Sequence, residues 1–428
     1  VDNASHCRLT FLQLYGYIRL PSAFEQTAQT SDAGLNIPGG IMINVGASAH
    51  RALVAHPGAE LYGSDRIVLE SVTALTTRGW DVTVALASSG PLVPLLEESG
   101  ADTVAMPLPV LRKSKMSVSG LLSLAVETAR TTPSIVRTLR RCSPDVVYIS
   151  TVTIPWVAVV AKLLGYPVIC HVHEAEDTAS KTIRMGLGAQ LLLSQRVIAN
   201  SNACRELLLR DIPILERRMR VIYNGVAGPR TAPTPPRDSL TGPIRLLLVG
   251  RIAPRKGTDI AVEALGILVR RGLDVTLDLA GGVFADYEWF EDDLRRIAAS
   301  AGVSDRIRRL GVIAQVWETL ESADIALVPS RAEPFGNVAV EAQLAARPVV
   351  ASAVQGLIEI IDDGRNGRLV EPGDAVALAD SIQAAIDGWD VAREQAIGAR
   401  IEALSRFSPE RYRTDIADAF TSTTESSR

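Results

Sequence analysis

The chain has 428 residues, 47% of them hydrophobic, with 44 Lys and Arg against 48 Asp and Glu and a formal net charge of −4. That length exceeds a single core and fits two domains, and the slight acidic balance excludes a general nucleic-acid binder, which carries a basic excess. The four cysteines, at 7, 142, 170 and 204, form no close pair with metal-ligand or redox spacing, in keeping with a reducing compartment.

Residues 1–49 are polar and aperiodic and lack the charged region and apolar block of a signal peptide. A disordered extension over residues 1–50 is expected, or sequence upstream of a start at Met42. Residues 51–56 read as a strand; Ile67, Val68, Val72 and Leu75 then recur at helical spacing, and residues 82–86 give a second strand. The turn at Gly63-Ser64-Asp65 offers its amides to an anion or an acceptor group; equally, Gly63 only permits the turn and Asp65 caps the helix.

After a strand at 102–107, residues 111–141 are helical and carry Arg112, Lys113, Lys115, Arg137, Arg140 and Arg141. Such a stretch is either a solvated face or a peripheral contact with an anionic membrane. No window reaches the roughly 18 uncharged apolar residues of a membrane span, and residues 151–164 read as a buried crossover helix. In the strand at 167–173, a period of two sets His171 and His173 on one face. The pair is either structural or a fragment of a metal site, but zinc needs a third ligand that the sequence does not offer. Strands at 196–201 and 220–225 close the first half, and the proline-rich residues 228–236 mark the boundary.

The second half opens with a strand at 246–251 and a helix at 259–271. Arg251 and Lys256 bracket the loop between them, where two cations can neutralise a diphosphate. Strands follow at 275–280, 307–311 and 325–328, and Asp274 and Asp278 straddle one of them as structural residues rather than a metal clamp. The stretch from Ser330 to Ala342 reads as a loop and helix beyond the carboxyl edge of a parallel sheet, where open α/β sheets bind ligands. Asn337 is read as the N-cap of that helix, and Glu341 as a first-turn residue leaning toward the loop that carries Glu333. Two carboxylates facing one ligand suit vicinal diols, as in a nucleotide sugar.

The segment from Glu333 to Glu341 cannot be read apart from its interior Pro334-Phe335-Gly336: together they resemble the Glu-x7-Glu signature of family 4 retaining glycosyltransferases, and Gly250-Arg251 to Lys256-Gly257 resembles that family's diphosphate site. The resemblance implies an α/β GT-B fold, two Rossmann-like domains facing a cleft: residues 51–225, joined by a last helix at 409–428, and residues 226–408. It implies transfer of a sugar from a nucleoside diphosphate sugar to an acceptor hydroxyl with retained configuration, in polysaccharide, glycolipid or glycoconjugate synthesis. The catalytic residues it implies are Arg251, Lys256, Glu333 and His173, with His171 as the fallback for the sugar-facing histidine. Donor contacts would come from Gly63, Arg251, Lys256, Glu333, Glu341, the backbone at Val312, and the segment Phe335, Gly336, Asn337 and Val338.

The family reading needs no metal or cofactor beyond the donor and no nucleic acid; the acceptor would be a glycan, a lipid-linked molecule or a small molecule. It places the protein in the cytoplasm, with contact at the inner face of the plasma membrane as an option. Rival readings are a nucleotide-sugar epimerase of the same architecture and a non-catalytic sugar-nucleotide module. A nicotinamide oxidoreductase is disfavoured, since no Gly-x-Gly-x-x-Gly follows Val54 or Val249. Gln355 stands where a second glycine is common in the family, which puts the local turn in question.

Overall fold

A computed structural model describes residues 50–111, 118–174, 181–283, 287–313 and 315–426. The expected extension at 1–49 and the basic residues Arg112, Lys113 and Lys115 lie outside the described residues. The first domain alternates strands and helices: β1 (Arg51–His56), α1 (Gly63–Thr77), β2 (Asp81–Leu86), α2 (Leu92–Glu98), β3 (Asp102–Ala105), α3 (Val118–Cys142), β4 (Val146–Ile149), α4 (Pro155–Leu163), β5 (Val168–Val172), α5 (Lys181–Gly188), β6 (Arg196–Ala199), α6 (Asn202–Asp211) and β7 (Met219–Val221). The second continues with β8 (Ile244–Val249), α7 (Thr258–Arg270), β9 (Val275–Ala280), α8 (Glu288–Ala301), β10 (Ile307–Gly311), α9 (Trp317–Ser322), β11 (Ile325–Val328), α10 (Asn337–Leu344), β12 (Val349–Ser352), α11 (Leu357–Ile360), β13 (Arg368–Val370), α12 (Ala375–Asp387), α13 (Trp389–Arg406) and α14 (Pro409–Glu425).

All strand pairs are parallel, in a seven-stranded sheet of order β3-β2-β1-β4-β5-β6-β7 and a six-stranded sheet of order β10-β9-β8-β11-β12-β13. In both, the order reverses beside the domain's first strand, between β1 and β4 and between β8 and β11. Such switch points leave a crevice at the carboxyl ends of the strands. Because both faces of each sheet are covered, the central strands are apolar throughout rather than alternating: Leu53, Val54, Val146, Val147, Tyr148 and Ile149 are fully buried.

Each sheet separates two apolar layers. One layer of the first domain includes Tyr412, Ile416, Ala419 and Phe420 of α14, so the last helix packs on the first domain after the second is complete. Its start is strongly specified: Ser408 is the N-cap, its hydroxyl accepts the Arg411 amide, and Pro409 takes the N1 position, where a missing N–H costs nothing.

Several boundaries differ from the sequence reading for local reasons. The strand expected at 196–201 ends at Ala199, because Ser201 is instead the N-cap of α6 and accepts the Cys204 amide. The strand expected at 220–225 is only Met219–Val221, and β8 starts at Ile244 and ends before Arg251. Helix α8 was not anticipated; its buried stripe is just Phe290, Leu294 and Ala298 among charged residues.

Candidate functional site

The two switch points face each other, and the loops that leave them carry the polar residues. On the second domain, Arg251 and Lys256 follow β8, while Glu333 lies in the loop after β11. Lys256 Nζ makes a short ion pair with Glu333 Oε2, and both side chains are nearly buried. The same carboxylate oxygen accepts the Ser330 hydroxyl at 3.0 Å. Burial works to raise the Glu333 carboxyl, but the charges of Lys256 and Arg255 and the bonds from Lys256 and Ser330 outweigh it and hold it below the ordinary range. Glu333 is therefore ionised at neutral pH.

Its backbone is also anchored: the Glu333 amide donates to Gln355 Oε1 at 2.8 Å, and its carbonyl accepts the Gly356 amide at 3.0 Å. Gln355 holds this position with φ at +41°, a left-handed conformation in which glycine is the usual residue. The turn that the missing glycine put in question is thus formed, with the glutamine side chain tied into the loop it borders.

Two details of the α10 reading are corrected. The N-cap is Gly336, at φ +118° and ψ +51°, and Asn337 is the first helical residue. A glycine reaches that backbone geometry without the penalty a Cβ would incur; the Asn337 side chain is free to act elsewhere, and its Oδ1 accepts Asn224 Nδ2 at 2.9 Å. Glu341, expected in the first turn, is the fifth residue of the helix, and the first turn carries no acidic side chain.

Glu341 still reaches the cleft. Its Oε1 lies 3.6 Å from Nη1 of Arg66, on helix α1 of the opposite domain, and only 12% of its side chain is exposed. Burial pushes its carboxyl up to about 7, against the opposing pull of Arg66 and Lys256. Arg251, 5.8 Å from the Tyr62 ring centroid, senses the charge of Glu333. The acidic pair and the cationic pair therefore occupy one crevice. Of the remaining second-domain candidates, Phe335 is 2% exposed and packs its ring among Tyr223 and Phe407, leaving only its backbone for a ligand. Val312, just past β10, is 75% exposed. Among the described residues the amides of Asn337 and Val338 have no backbone partner, as expected at a helix start.

The first domain contributes differently. Gly63 opens α1 rather than preceding it, and a Cβ placed on it would stand 3.1 Å from Asn337 Nδ2, so the starts of α1 and α10 nearly touch. Asp65 takes the Tyr62 amide on Oδ2 at 2.8 Å and His56 Nε2 on Oδ1 at 2.7 Å, while His56 Nδ1 lies 2.6 Å from Ser150 Oγ. His56, Asp65 and Ser150 are all buried. This constellation was not found in the sequence; His56 ends an apolar strand and its partners lie 9 and 94 residues away, so only the fold unites them.

His173 sits just past the end of β5, its ring 4.0 Å from that of His171, so the two do share a face. Burial, then the positive field of His56, lower the His173 imidazole to about 3 despite the nearby Asp65 carboxylate, leaving it neutral. The Nε2 atoms of both His171 and His173 are buried without a partner among the described residues. No group of three His, Cys, Asp or Glu side chains among the described residues is arranged to hold a metal ion. Asp274 pairs instead with Arg306, just before β10, and Asp278 with Arg308 on β10.

Hydrogen bonds join the domains beside the cleft. Ser201 donates to the Pro334 carbonyl at 2.6 Å, and the Glu359 carboxylate accepts the amides of Asn202 and Ala203, the Asn202 side chain and the Tyr223 hydroxyl at 2.7 to 2.9 Å. The loop bearing Glu333 is thereby tied to the first turn of α6.

Comparison with known proteins gives a consistent result. A family profile described as Glycosyltransferase Family 4 matches residues 62–227, and one described as Glycosyl transferases group 1 matches residues 243–387. The chain is 34% identical over 205 residues to the glycogen synthase of Mycobacterium tuberculosis, covering 47% of each chain. It is 29% identical over 422 residues to the D-inositol 3-phosphate glycosyltransferase of Actinosynnema mirum, covering 85% of this chain and 98% of that one. The aligned part spans about half the length of the first of these relatives. Among solved structures, Anabaena Alr3699/HepE in complex with UDP and glucose superposes with a TM-score of 0.73 at 23% identity, over 87% of this chain and 99% of that one. The fold is GT-B.

Proposed function

Since the chain belongs to glycosyltransferase family 4, we propose that it moves a sugar from a nucleoside diphosphate donor to an acceptor hydroxyl with retention of anomeric configuration. The observation that carries this reading is the convergence of Lys256, Arg251, Glu333 and Glu341 at one crevice between the domains. Breaking the anomeric bond leaves negative charge on the diphosphate and positive character on the sugar. Charges already fixed where the leaving group forms are the most effective support for such a step.

In this reading Lys256 and Arg251 hold the diphosphate, with the first amides of α10 adding oriented donors. Lys256 is shared: it already neutralises Glu333, so an arriving diphosphate competes for its charge while Ser330 continues to hold the carboxylate. Glu333 orients the sugar hydroxyls and Glu341 the ribose diol, the latter after Arg66 yields its place. His173, neutral and with an unpartnered Nε2, suits a sugar hydroxyl rather than a phosphate. With two cations beside the leaving group, no divalent ion or other cofactor is required, and chelation should leave turnover unchanged.

The uridine nucleotide is the first donor to test, since the Anabaena protein is solved with UDP and with UDP-glucose. A thermal-shift screen against nucleoside diphosphate sugars should find a donor: a ligand at 100 times its dissociation constant adds about 2.7 kcal/mol. Incubation with that donor and a glycan, lipid-linked or small-molecule acceptor should yield a product of retained configuration. A new sugar isomer formed from donor alone would overturn transfer in favour of epimerisation, and affinity with no turnover would leave a binding module.

Among the described residues no helix is long and apolar enough to cross a membrane. A cytoplasmic protein that touches the inner membrane surface is proposed on α3, where Leu122 and Val126 are exposed and Arg137, Arg140 and Arg141 are solvated. Flotation with anionic but not neutral vesicles is the expected result; no flotation with either removes the membrane from the reading.

A further inference from the structure

Four buried polar side chains beneath the first sheet take no part in the chemistry above. Tyr412 of α14, Ser71 of α1 and Tyr148 of β4 meet there: Tyr412 Oη is 2.6 Å from Ser71 Oγ, which is 3.3 Å from Tyr148 Oη. Tyr148 Oη is in turn 2.6 Å from Nδ1 of His171, whose ring rests against His173. None of the four is more than 1% exposed. Phenylalanine would fill the same space at either tyrosine, so packing alone does not explain the hydroxyls.

The direction of the protons follows from counting donors. Burial raises both phenols and lowers His171, so the tyrosines keep their protons and the imidazole is neutral. The single proton of Ser71 goes to the Ile67 carbonyl at 2.8 Å, so Ser71 accepts from Tyr412. Tyr148 has one proton, and its contact with His171 Nδ1 is far shorter than that with Ser71. The network thus assigns His171 as the tautomer protonated on Nε2 and fixes its ring plane. That ring lies against His173, with ring centroids 4.0 Å apart.

We propose that Tyr148 and Tyr412, acting through His171, are positioning residues for His173, so that the helix crossing back from the second domain helps set the imidazole that meets the donor sugar. This rests on the His173–sugar contact proposed above. It differs from a purely structural role because its effect must pass through one side chain. A helix that enters the first domain only after the second is complete would then report domain assembly to the cleft.

The test uses the full chain and its donor, comparing Tyr148→Phe and Tyr412→Phe in the natural background and in His173→Ala. With His173 present, Tyr148→Phe is expected to lower kcat about tenfold, as for loss of one buried hydrogen bond, and Tyr412→Phe less. Affinity for the free nucleoside diphosphate should not change, because its contacts lie on the second domain. In the His173→Ala background neither tyrosine substitution should lower kcat further. The Cε1–H resonances of His171 and His173 should also shift in Tyr148→Phe, at an unchanged fold as judged by circular dichroism. Equal fractional losses in both backgrounds, or weakened nucleoside diphosphate binding, would overturn positioning while leaving the sugar contact standing. Full turnover by His173→Ala alone would overturn the sugar contact and the positioning with it.

Discussion

The two edges of the cleft are built from different chemistry. The second domain presents formal charges beyond its strand ends, Arg251, Lys256, Glu333 and Glu341, and the structure already pairs Lys256 with Glu333 and Glu341 with Arg66. The first domain presents imidazoles, with His56 locked between Asp65 and Ser150 and His173 neutral, its Nε2 unpartnered among the described residues. A ligand meets these edges on unlike terms. On the charged side it has to exchange one ion pair for another, which changes binding energy little but places charge where a leaving group forms. On the neutral side it satisfies a nitrogen that otherwise stays unbonded, a gain that can be selective for a hydroxyl.

That contrast is most open to attack at Lys256. Lys256→Ala should cut kcat by about 100- to 1,000-fold, roughly 3 to 4 kcal/mol, as when one preorganised donor to a developing anion is lost. His173→Ala, on the neutral edge, should cost about tenfold and act on the sugar rather than on the nucleoside diphosphate. Steady-state kinetics with donor and free nucleotide separate the two. Equal losses at both positions would mean that the edges do not divide the work in this way.

The charged edge was also the more legible in sequence. Arg251, Lys256 and Glu333 sit in short loops after apolar strands such as Ile325–Val328, Glu341 lies in the helix that follows, and local spacing places them at one sheet edge. The neutral edge depends on contacts between distant residues: His56 meets Ser150 across 94 positions, and Ser71 meets Tyr412 across 341. No local pattern encodes those pairings. The N-cap at Gly336 was missed for a different reason, since Asn is the better cap by propensity and only the left-handed backbone of the preceding turn hands that place to glycine. Helix α8 hid because its solvent face is dense in charge and its buried stripe is narrow.

The edges are joined at Glu359, whose carboxylate takes four hydrogen bonds from Asn202, Ala203 and Tyr223 of the first domain. Glu359→Ala strands those donors and the start of α6, and is expected to destabilise the protein by about 2 to 3 kcal/mol. Differential scanning calorimetry should then resolve two transitions where the parent shows one, as the domains uncouple. A single transition at the parent temperature would show that the apolar contacts of α14 alone hold the two together.

A smaller effect should come from the titration of Glu341. Its carboxyl, raised by burial to about 7, is protonated below that pH and cannot then accept from both hydroxyls of a diol. Affinity for a nucleoside diphosphate sugar, whose own phosphates do not titrate in this range, should rise with pH and level off above about 7, with up to tenfold lost per pH unit below. Stability runs the other way: a carboxyl whose folded value is raised contributes most below its unfolded value, and that contribution is lost as pH climbs through about 7. Glu341→Gln should flatten both profiles. A slope that survives the substitution would assign the proton to another group.

The finest distinction concerns the loop that carries Glu333. Gln355 keeps a left-handed backbone at φ +41°, which costs a residue with a Cβ about 1 to 2 kcal/mol, yet its Oε1 accepts the Glu333 amide at 2.8 Å. The next position admits no side chain, since a Cβ on Gly356 would lie 2.4 Å from the Phe335 carbonyl oxygen, so the turn cannot relax by passing its strain forward. Gln355→Ala keeps the strain and loses the hydrogen bond, and should destabilise by about 1 kcal/mol. Gln355→Gly loses the same bond but relieves the backbone, so its melting temperature should stay near that of the parent while kcat falls by the same few-fold factor as in the alanine variant. Unequal kcat in two variants that share the loss of the bond would place the effect in backbone strain, and the glutamine would then be a tolerated substitute for glycine rather than an anchor for the carboxylate.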